Sequence, residues 1–191
     1  MKRLLLGMML CLWPMEALAQ TDAPSAEPKP GLTRGEAESA FALAVLSSCL
    51  TALESHTPIA GLDPGLRKDL RPVTDAERKR APFKDKTVPM WSSLTLGSHL
   101  TVSETSATQC DVIADQLPVE ETYREVLTVV KQANPGWYDV PQKPGYNPIV
   151  YQVEGDYQGA HYAVHLDGAE PGALFHAYRH SLLTARVTRT P

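Results

Sequence analysis

Residues 1–19 have the three parts of a cleavable secretory signal peptide. Lys2 and Arg3 give it a positive start, residues 4–13 form a short apolar run, and an A-x-A cleavage site ends at Ala19. The apolar run is shorter than the roughly 20 residues that a membrane-spanning helix needs. We therefore expect cleavage after Ala19, a periplasmic or secreted mature protein, and no transmembrane segment in the mature chain.

A lipoprotein signal is the alternative for the same segment, because Cys11 lies inside it. Lipidation would require a small residue immediately before that cysteine, and the residue there is Leu10. The bulky leucine favours ordinary cleavage over a lipid anchor.

Cleavage after Ala19 would leave only Cys49 and Cys110 of the three cysteines. Exported proteins fold where thiols are oxidised, so an even number of cysteines favours a disulfide. Such a bridge would close a long loop and stabilise the fold by about 4 kcal/mol in the chain-entropy model. The alternative is a pair of unpaired buried thiols.

The segment after the cleavage site, residues 20–32, contains three prolines among small and polar residues. This composition cannot supply a core, so we predict a disordered linker. The remaining residues, 33–191, are enough for a single domain. The whole chain has a formal charge of −4 at pH 7, which gives it no overall attraction to nucleic acid.

Two segments have the periodicity of helices. Thr33 and Glu36 form a capping-box pattern ahead of an apolar stretch that runs to Leu53 and stops before Pro58. This stretch has almost no polar face, which predicts a helix buried at the centre of the protein. A second, amphipathic helix should follow Pro118.

Five segments alternate apolar and polar residues in the manner of strands. Residues 100–104 and 110–114 predict a hairpin, and residues 149–153, 160–166 and 183–187 predict a three-stranded meander. The order α-β-β-α-β-β-β indicates an α+β fold, with an antiparallel sheet and two helices packed on one face. PAS and profilin-like domains share this order by analogy of architecture only, because no family motif accompanies it.

Between the first helix and the hairpin, residues 57–89 lose periodicity, gain prolines and concentrate charge. We predict a long excursion across the surface, with one helical turn at residues 75–80. Arg78, Lys79 and Arg80 are candidate binding residues for an anionic partner. The alternative is a solvated loop, because acidic residues are interleaved with the basic ones.

Aromatic residues are frequent in the last third of the chain. Trp137, Tyr151 and Tyr162 are candidates for a binding surface, because amphipathic rings are favoured at recognition sites. Core packing is the alternative for the same rings.

Four of the six histidines lie near the C-terminus and are candidate metal ligands: His161, His165, His176 and His180. Their H-x3-H spacing suits a shared ion on a helix, but two strand residues four apart are separated by roughly 13 Å at about 3.3 Å per residue. His161 and His165 therefore cannot chelate one ion by themselves. The alternative is that they are outward-facing polar residues of a strand.

Familiar catalytic motifs are missing from the sequence, which contains no G-x-S-x-G, C-x-x-C, S-x-x-K or H-E-x-x-H pattern. We therefore expect a non-catalytic domain without a cofactor that binds a partner protein or a small molecule. The alternative is a hydrolase or metal-dependent enzyme that uses the C-terminal histidines.

Overall fold

A computed structural model describes residues 33–141, 149–169 and 182–191. These residues belong to one compact unit, Leu32–Pro191. The predicted signal peptide, the predicted linker, His176 and His180 lie outside the described residues.

The first helix consists of three consecutive parts: α1 (Arg34–Leu43), a π-helical segment (Ala44–Leu50) and α2 (Thr51–Ser55). Its start is capped as the sequence predicts, because the Glu36 carboxylate accepts a hydrogen bond from the Thr33 backbone N–H at 2.7 Å. The helix ends at His56, which adopts the left-handed conformation. The apolar stripe of this helix is buried throughout: Phe41, Val45, Cys49 and Leu53.

The described strands form one antiparallel sheet with the spatial order β1-β2-β3-β4-β8-β7-β6-β5. The strands are β1 (Leu70–Pro72), β2 (Met90–Ser93), β3 (Gly97–Ser106), β4 (Gln109–Asp115), β5 (Tyr138–Asp139), β6 (Ile149–Tyr157), β7 (Ala160–Ala169) and β8 (Leu182–Thr190). The predicted hairpin is β3–β4, and the predicted meander is β6–β7–β8. The short strands β1, β2 and β5 were not predicted.

The two long helices cover one face of this sheet. Val112 of β4 lies opposite Val102 of β3 and Ala185 of β8, and all three side chains are fully buried. Cys110 alternates in phase with Val112 and is bonded to Cys49 of the first helix. This face therefore meets the first helix.

The second long helix, α4 (Val119–Ala133), packs on the same face at the other end of the sheet. Gly168 of β7 makes room for it, because a methyl group at this glycine would lie 2.6 Å from Val119 Cγ1 and 2.7 Å from Tyr123 Oη. The predicted α+β fold, an antiparallel sheet with helices on one face, is confirmed.

The charged segment, residues 57–89, runs across the surface as predicted, contains the predicted helical turn at residues 75–80, and partly covers the opposite face of the sheet. Met90, Ser92 and Ser103 point away from the main core, yet all three are buried. Above this part of the sheet, α3 (Asp75–Arg80) and Pro82 form the wall of a small cleft whose floor includes Ile113. Period-two patterns identify a face of a sheet, but they do not show what covers it.

Among the described residues, Gly35–Ser55 is long and apolar enough to cross a membrane by length and composition. In the folded protein 56% of the most apolar window is buried. The segment is the central helix of the core and is tied to the sheet by the disulfide.

Candidate ligand-binding groove

Cys49 and Cys110 form a disulfide in the structure, with their Cα atoms 5.4 Å apart, as the sequence predicts. Both side chains are buried. The bridge fixes the π-helical segment to β4 at the centre of the sheet. Disulfides persist in oxidising environments, so this one indicates an oxidising compartment.

A groove with a volume of about 970 Å³ lies between the first helix and residues 65–70. We call it the α1 groove. The wall formed by the helix consists mainly of small side chains: Gly35, Ser39, Ala40, Ala44, Ser47 and Ser48. Because these side chains are small, they leave open space between the helix and the opposite wall.

The π-helical segment connects the groove to the core. Ala44 and Ser47 line the groove, whereas Cys49 on the other side of the same segment forms the disulfide. The hydroxyl of Thr51 donates to the carbonyl of Leu46, five residues earlier, at 3.1 Å. π-helical turns inside α-helices are rare and frequently occur at functional sites.

Three exposed leucines lie in or next to the α1 groove. Leu43 and Leu66 line it and are 49% and 40% exposed, and Leu94, which precedes the lining residue Thr95, is 50% exposed. In the described part of the chain these are three of the five large apolar or aromatic side chains exposed to this extent, the others being Tyr138 and Tyr157. An exposed apolar patch around a concavity is typical of a binding site.

The charged side chains in the groove differ in how many hydrogen-bond partners they have within the protein. Asp69 accepts hydrogen bonds from the hydroxyls of Ser93, at 2.5 Å, and Thr95. Glu36 is held by the backbone N–H and hydroxyl of Thr33, and these hydrogen bonds lower the pKa of its carboxyl. Both carboxylates therefore already have donors within the protein.

The two cationic side chains of the groove, Arg67 and Lys68, have fewer hydrogen-bond partners than the carboxylates. Arg67 donates through Nε to the carbonyl of Leu62 at 3.2 Å. Among the described residues, neither its terminal guanidinium nitrogens nor the ammonium of the exposed Lys68 has a hydrogen-bond or ion-pair partner. The terminal nitrogens of Arg67 and the ammonium of Lys68 are therefore hydrogen-bond donors that remain available to a ligand in the groove.

A second, smaller cleft of about 280 Å³ lies between α3 and the outer face of β3 and β4. His99 contacts Asp115 there, with 2.6 Å between Nδ1 and Oδ1, and both side chains are largely exposed. Thr101 and Arg80 line the same cleft. A solvated surface pair explains this contact, and such pairs contribute little to stability.

The predicted basic residues have different environments. Arg78 donates through Nη1 to the carbonyls of Lys86, at 2.9 Å, and Val88, at 2.8 Å, so it holds the charged segment together. Lys79 and Arg80 are exposed on α3. A binding role for this stretch stays a prediction, and only Lys79 and Arg80 have charges that face solvent.

The predicted aromatic residues lie mostly inside the protein. Trp137 and Tyr162 are buried and stacked, with ring centroids 6.1 Å apart. Tyr151 is partly buried, and its hydroxyl donates to both Glu120 carboxylate oxygens at 2.8 Å. Trp137 and Tyr162 are packed in the core, which was the alternative to a binding role. Their buried rings offer little surface to a partner.

His161 and His165 lie on the outer face of β7 and contact different groups. His161 Nδ1 is 2.9 Å from Asp156 Oδ1, and His165 Nδ1 is 3.4 Å from Gln152 Oε1. Within residues 33–141, 149–169 and 182–191, no group of three or more His, Cys, Asp or Glu side chains is arranged to hold a metal ion. A site that includes His176 or His180 involves residues outside the described ranges.

The α1 groove was not predicted, because its two walls come from separate parts of the sequence. One signal could have indicated it: small residues at positions 39, 40, 44 and 47 follow helical spacing beside the apolar stripe. Small residues on a helix that is otherwise rich in leucine leave space at its surface.

The chain matches no known family model, no curated protein and no solved structure.

Proposed function

We propose that this protein is an exported, non-catalytic domain of the cell envelope that binds a small molecule with an apolar body in the α1 groove. The observation that carries the proposal is the groove itself, a concave site of about 970 Å³ lined by the exposed leucines Leu43 and Leu66. Small-molecule sites typically have volumes of about 300–1,000 Å³ and mostly apolar walls.

The shape favours a small molecule over a partner protein. Stable protein interfaces bury about 800 Å² on each partner and need an extended surface. The exposed apolar side chains Leu43 and Leu66 instead both line one concave groove. A ligand lying along the helix would cover both leucines together.

The chemistry of the groove favours binding over catalysis. Among the residues that the structure describes, its lining contains serine and threonine hydroxyls but no histidine or cysteine. Activating a hydroxyl requires a general base within hydrogen-bond reach. The two carboxylates present, Glu36 and Asp69, are held by Thr33, Ser93 and Thr95.

Two independent features support export. The N-terminal sequence has the order of a signal peptide, and the disulfide requires an oxidising compartment to persist. Cleavage after Ala19 would release a mature chain whose two cysteines are both used.

A neutral fluorescent probe tests the proposal. N-phenyl-1-naphthylamine should bind the mature protein at one site, with increased emission. Ala40→Phe places a ring in the groove and should weaken binding by roughly tenfold or more, because the ring occupies the space of the probe. Ala60→Phe is the matched control, because Ala60 is exposed and outside the groove.

Leu43→Asp provides a second variant, because this exposed side chain can become polar without disturbing the core. Thermal melting of every variant checks that it is folded. Absence of probe binding by the wild type, or equal binding by the Ala40→Phe and Ala60→Phe proteins, would refute the groove as a ligand site.

A further inference from the structure

We infer that the molecule bound in the α1 groove is a single-chain amphipathic anion, whose negative head lies at Lys68 and Arg67 and whose apolar chain lies along the first helix. This inference rests on the proposed function. It specifies the chemical class of the ligand, which the shape of the groove alone leaves open.

The negative charges of the groove are engaged within the protein. Both oxygens of Asp69 accept a hydroxyl proton, one from Ser93 and one from Thr95. Glu36 caps α1 through its two hydrogen bonds to Thr33. A cationic ligand would have to compete with these internal donors at Asp69 and at Glu36 Oε2, and among the described residues only Glu36 Oε1 is left without a donor.

The positive charges are available. The hydrogen bond from Arg67 Nε to the Leu62 carbonyl orients the guanidinium but leaves its terminal nitrogens without a partner among the described residues. Lys68 is exposed and has no described partner. A guanidinium and an ammonium on adjacent residues suit a carboxylate or phosphate head.

The apolar wall lies across from these cations. Leu43, Ala40 and Ala44 are on the helix, and Leu66 directly precedes Arg67 on the opposite wall. A molecule that places its head at residues 67 and 68 can therefore cover both leucines with a single apolar chain. The charges of the lining residues Glu36, Asp69, Arg67 and Lys68 sum to zero, so the preference for an anion comes from the free donors of Arg67 and Lys68 beside the apolar surface.

Isothermal titration of the mature protein with three molecules of equal chain length tests this class: dodecanoate, dodecanol and dodecyltrimethylammonium. The concentrations must stay below those at which the molecules aggregate. We expect dodecanoate to bind about tenfold more tightly than dodecanol, and the cation to bind most weakly, because a carboxylate forms strong charge-assisted hydrogen bonds with the free donors of Arg67 and Lys68.

Lys68→Glu should weaken the binding of dodecanoate by roughly tenfold and leave dodecanol unchanged. Lys79→Glu is the matched control, because it makes the same charge change at an exposed lysine outside the groove. It should leave the affinity for all three molecules within about twofold.

The outcomes separate the two proposals. Equal binding of dodecanoate and dodecanol, or equal effects of Lys68→Glu and Lys79→Glu, would overturn the anionic head and leave the groove as an apolar site. Failure of all three molecules to bind would overturn the groove as well. Binding only to vesicles that contain an anionic lipid, and not to free dodecanoate, would assign the basic residues to a membrane surface and overturn the inference.

Discussion

Trp137 and Gly155 show how closely single residues are fitted in this fold. A methyl group at Gly155 would lie 2.6 Å from Trp137 Cγ, so the indole can occupy its place only because β6 has a glycine there. We predict that Gly155→Ala displaces the indole and lowers the free energy of unfolding by about 1–3 kcal/mol. Urea denaturation followed by tryptophan fluorescence measures this loss.

Gly136→Ala is the control for this substitution, because a methyl group at Gly136 meets nothing within 4 Å. Its stability should remain within about 0.5 kcal/mol of the wild type. Equal stability of the two variants would show that the indole does not depend on the space above Gly155.

His161 should make stability depend on pH. The hydrogen bond with Asp156 raises the pKa of His161 above its ordinary value, so the folded state binds the proton more tightly than the unfolded state. The stabilisation is fully present below a pH of about 6.5 and is lost as the pH rises through the raised pKa. Because the pair is exposed, we expect less than about 1 kcal/mol.

Urea midpoints of the wild type and His161→Gln at pH 5.5 and pH 8.5 test this effect. The two proteins should differ at pH 5.5 and converge at pH 8.5. Asp156→Asn should reduce the difference, because it removes the largest cause of the pKa shift. A difference that is larger at pH 8.5 would contradict the assignment.

At the scale of residues, the sequence indicated which positions are apolar but not which aromatic rings are exposed. Trp137 lies between a helix and a short strand, where no periodicity reports on burial. The cysteines were easier, because Cys49 and Cys110 are each in phase with a predicted apolar stripe. Their pairing could therefore be derived from two patterns and the redox state of the compartment.

At the scale of elements, the charged segment over the outer face depends on Arg78. Its guanidinium donates to two carbonyls within the segment, and hydrogen bonds from charged donors typically contribute about 1.5–3 kcal/mol each. We predict that Arg78→Ala lowers the free energy of unfolding by about 1–3 kcal/mol, less than two full bonds, because both bonds come from one nitrogen of a partly exposed side chain. Urea denaturation measures this loss.

Arg80→Ala removes the same charge from an exposed position on α3 and should change stability by less than about 0.5 kcal/mol. If Arg78→Ala were equally harmless, its two hydrogen bonds would not hold the segment. The matched pair thus separates a structural arginine from one whose charge is available to a partner.

The disulfide joins the first helix to β4 and closes a sequence separation of 61 residues. We predict that the Cys49→Ala/Cys110→Ala double variant unfolds with about 2–5 kcal/mol less free energy than the oxidised protein. Thiol titration of the denatured, non-reduced mature protein should find no free thiol. Two free thiols per chain would contradict the bridge.

The long elements could be predicted because their periodicities extend over several turns or residue pairs. The strands β1, β2 and β5 contain three, four and two residues, too few for an alternation to be recognised. The π-helical segment has the composition of an ordinary buried helix, so only the structure distinguishes it. The cover over the outer face depends on tertiary contacts that no local pattern encodes.

At the scale of the whole molecule, one face of the sheet carries the core helices and the other carries the charged segment. The α1 groove lies at the edge of the helical layer, where the disulfide-anchored helix meets residues 65–70. Sequence patterns could predict the layers but not this site, because its walls are separated along the chain and no motif marks them. The proposed function therefore depends on ligand binding in the α1 groove.

Two-dimensional amide NMR of the isotope-labelled mature protein, titrated with dodecanoate, would locate the bound molecule. We predict saturable shifts that are largest at residues of the α1 groove, including Ser39, Ala44 and Leu66. Shifts centred on Lys79 and Arg80 of α3 or on the His99–Asp115 cleft, or no saturable shifts at all, would contradict binding in the groove.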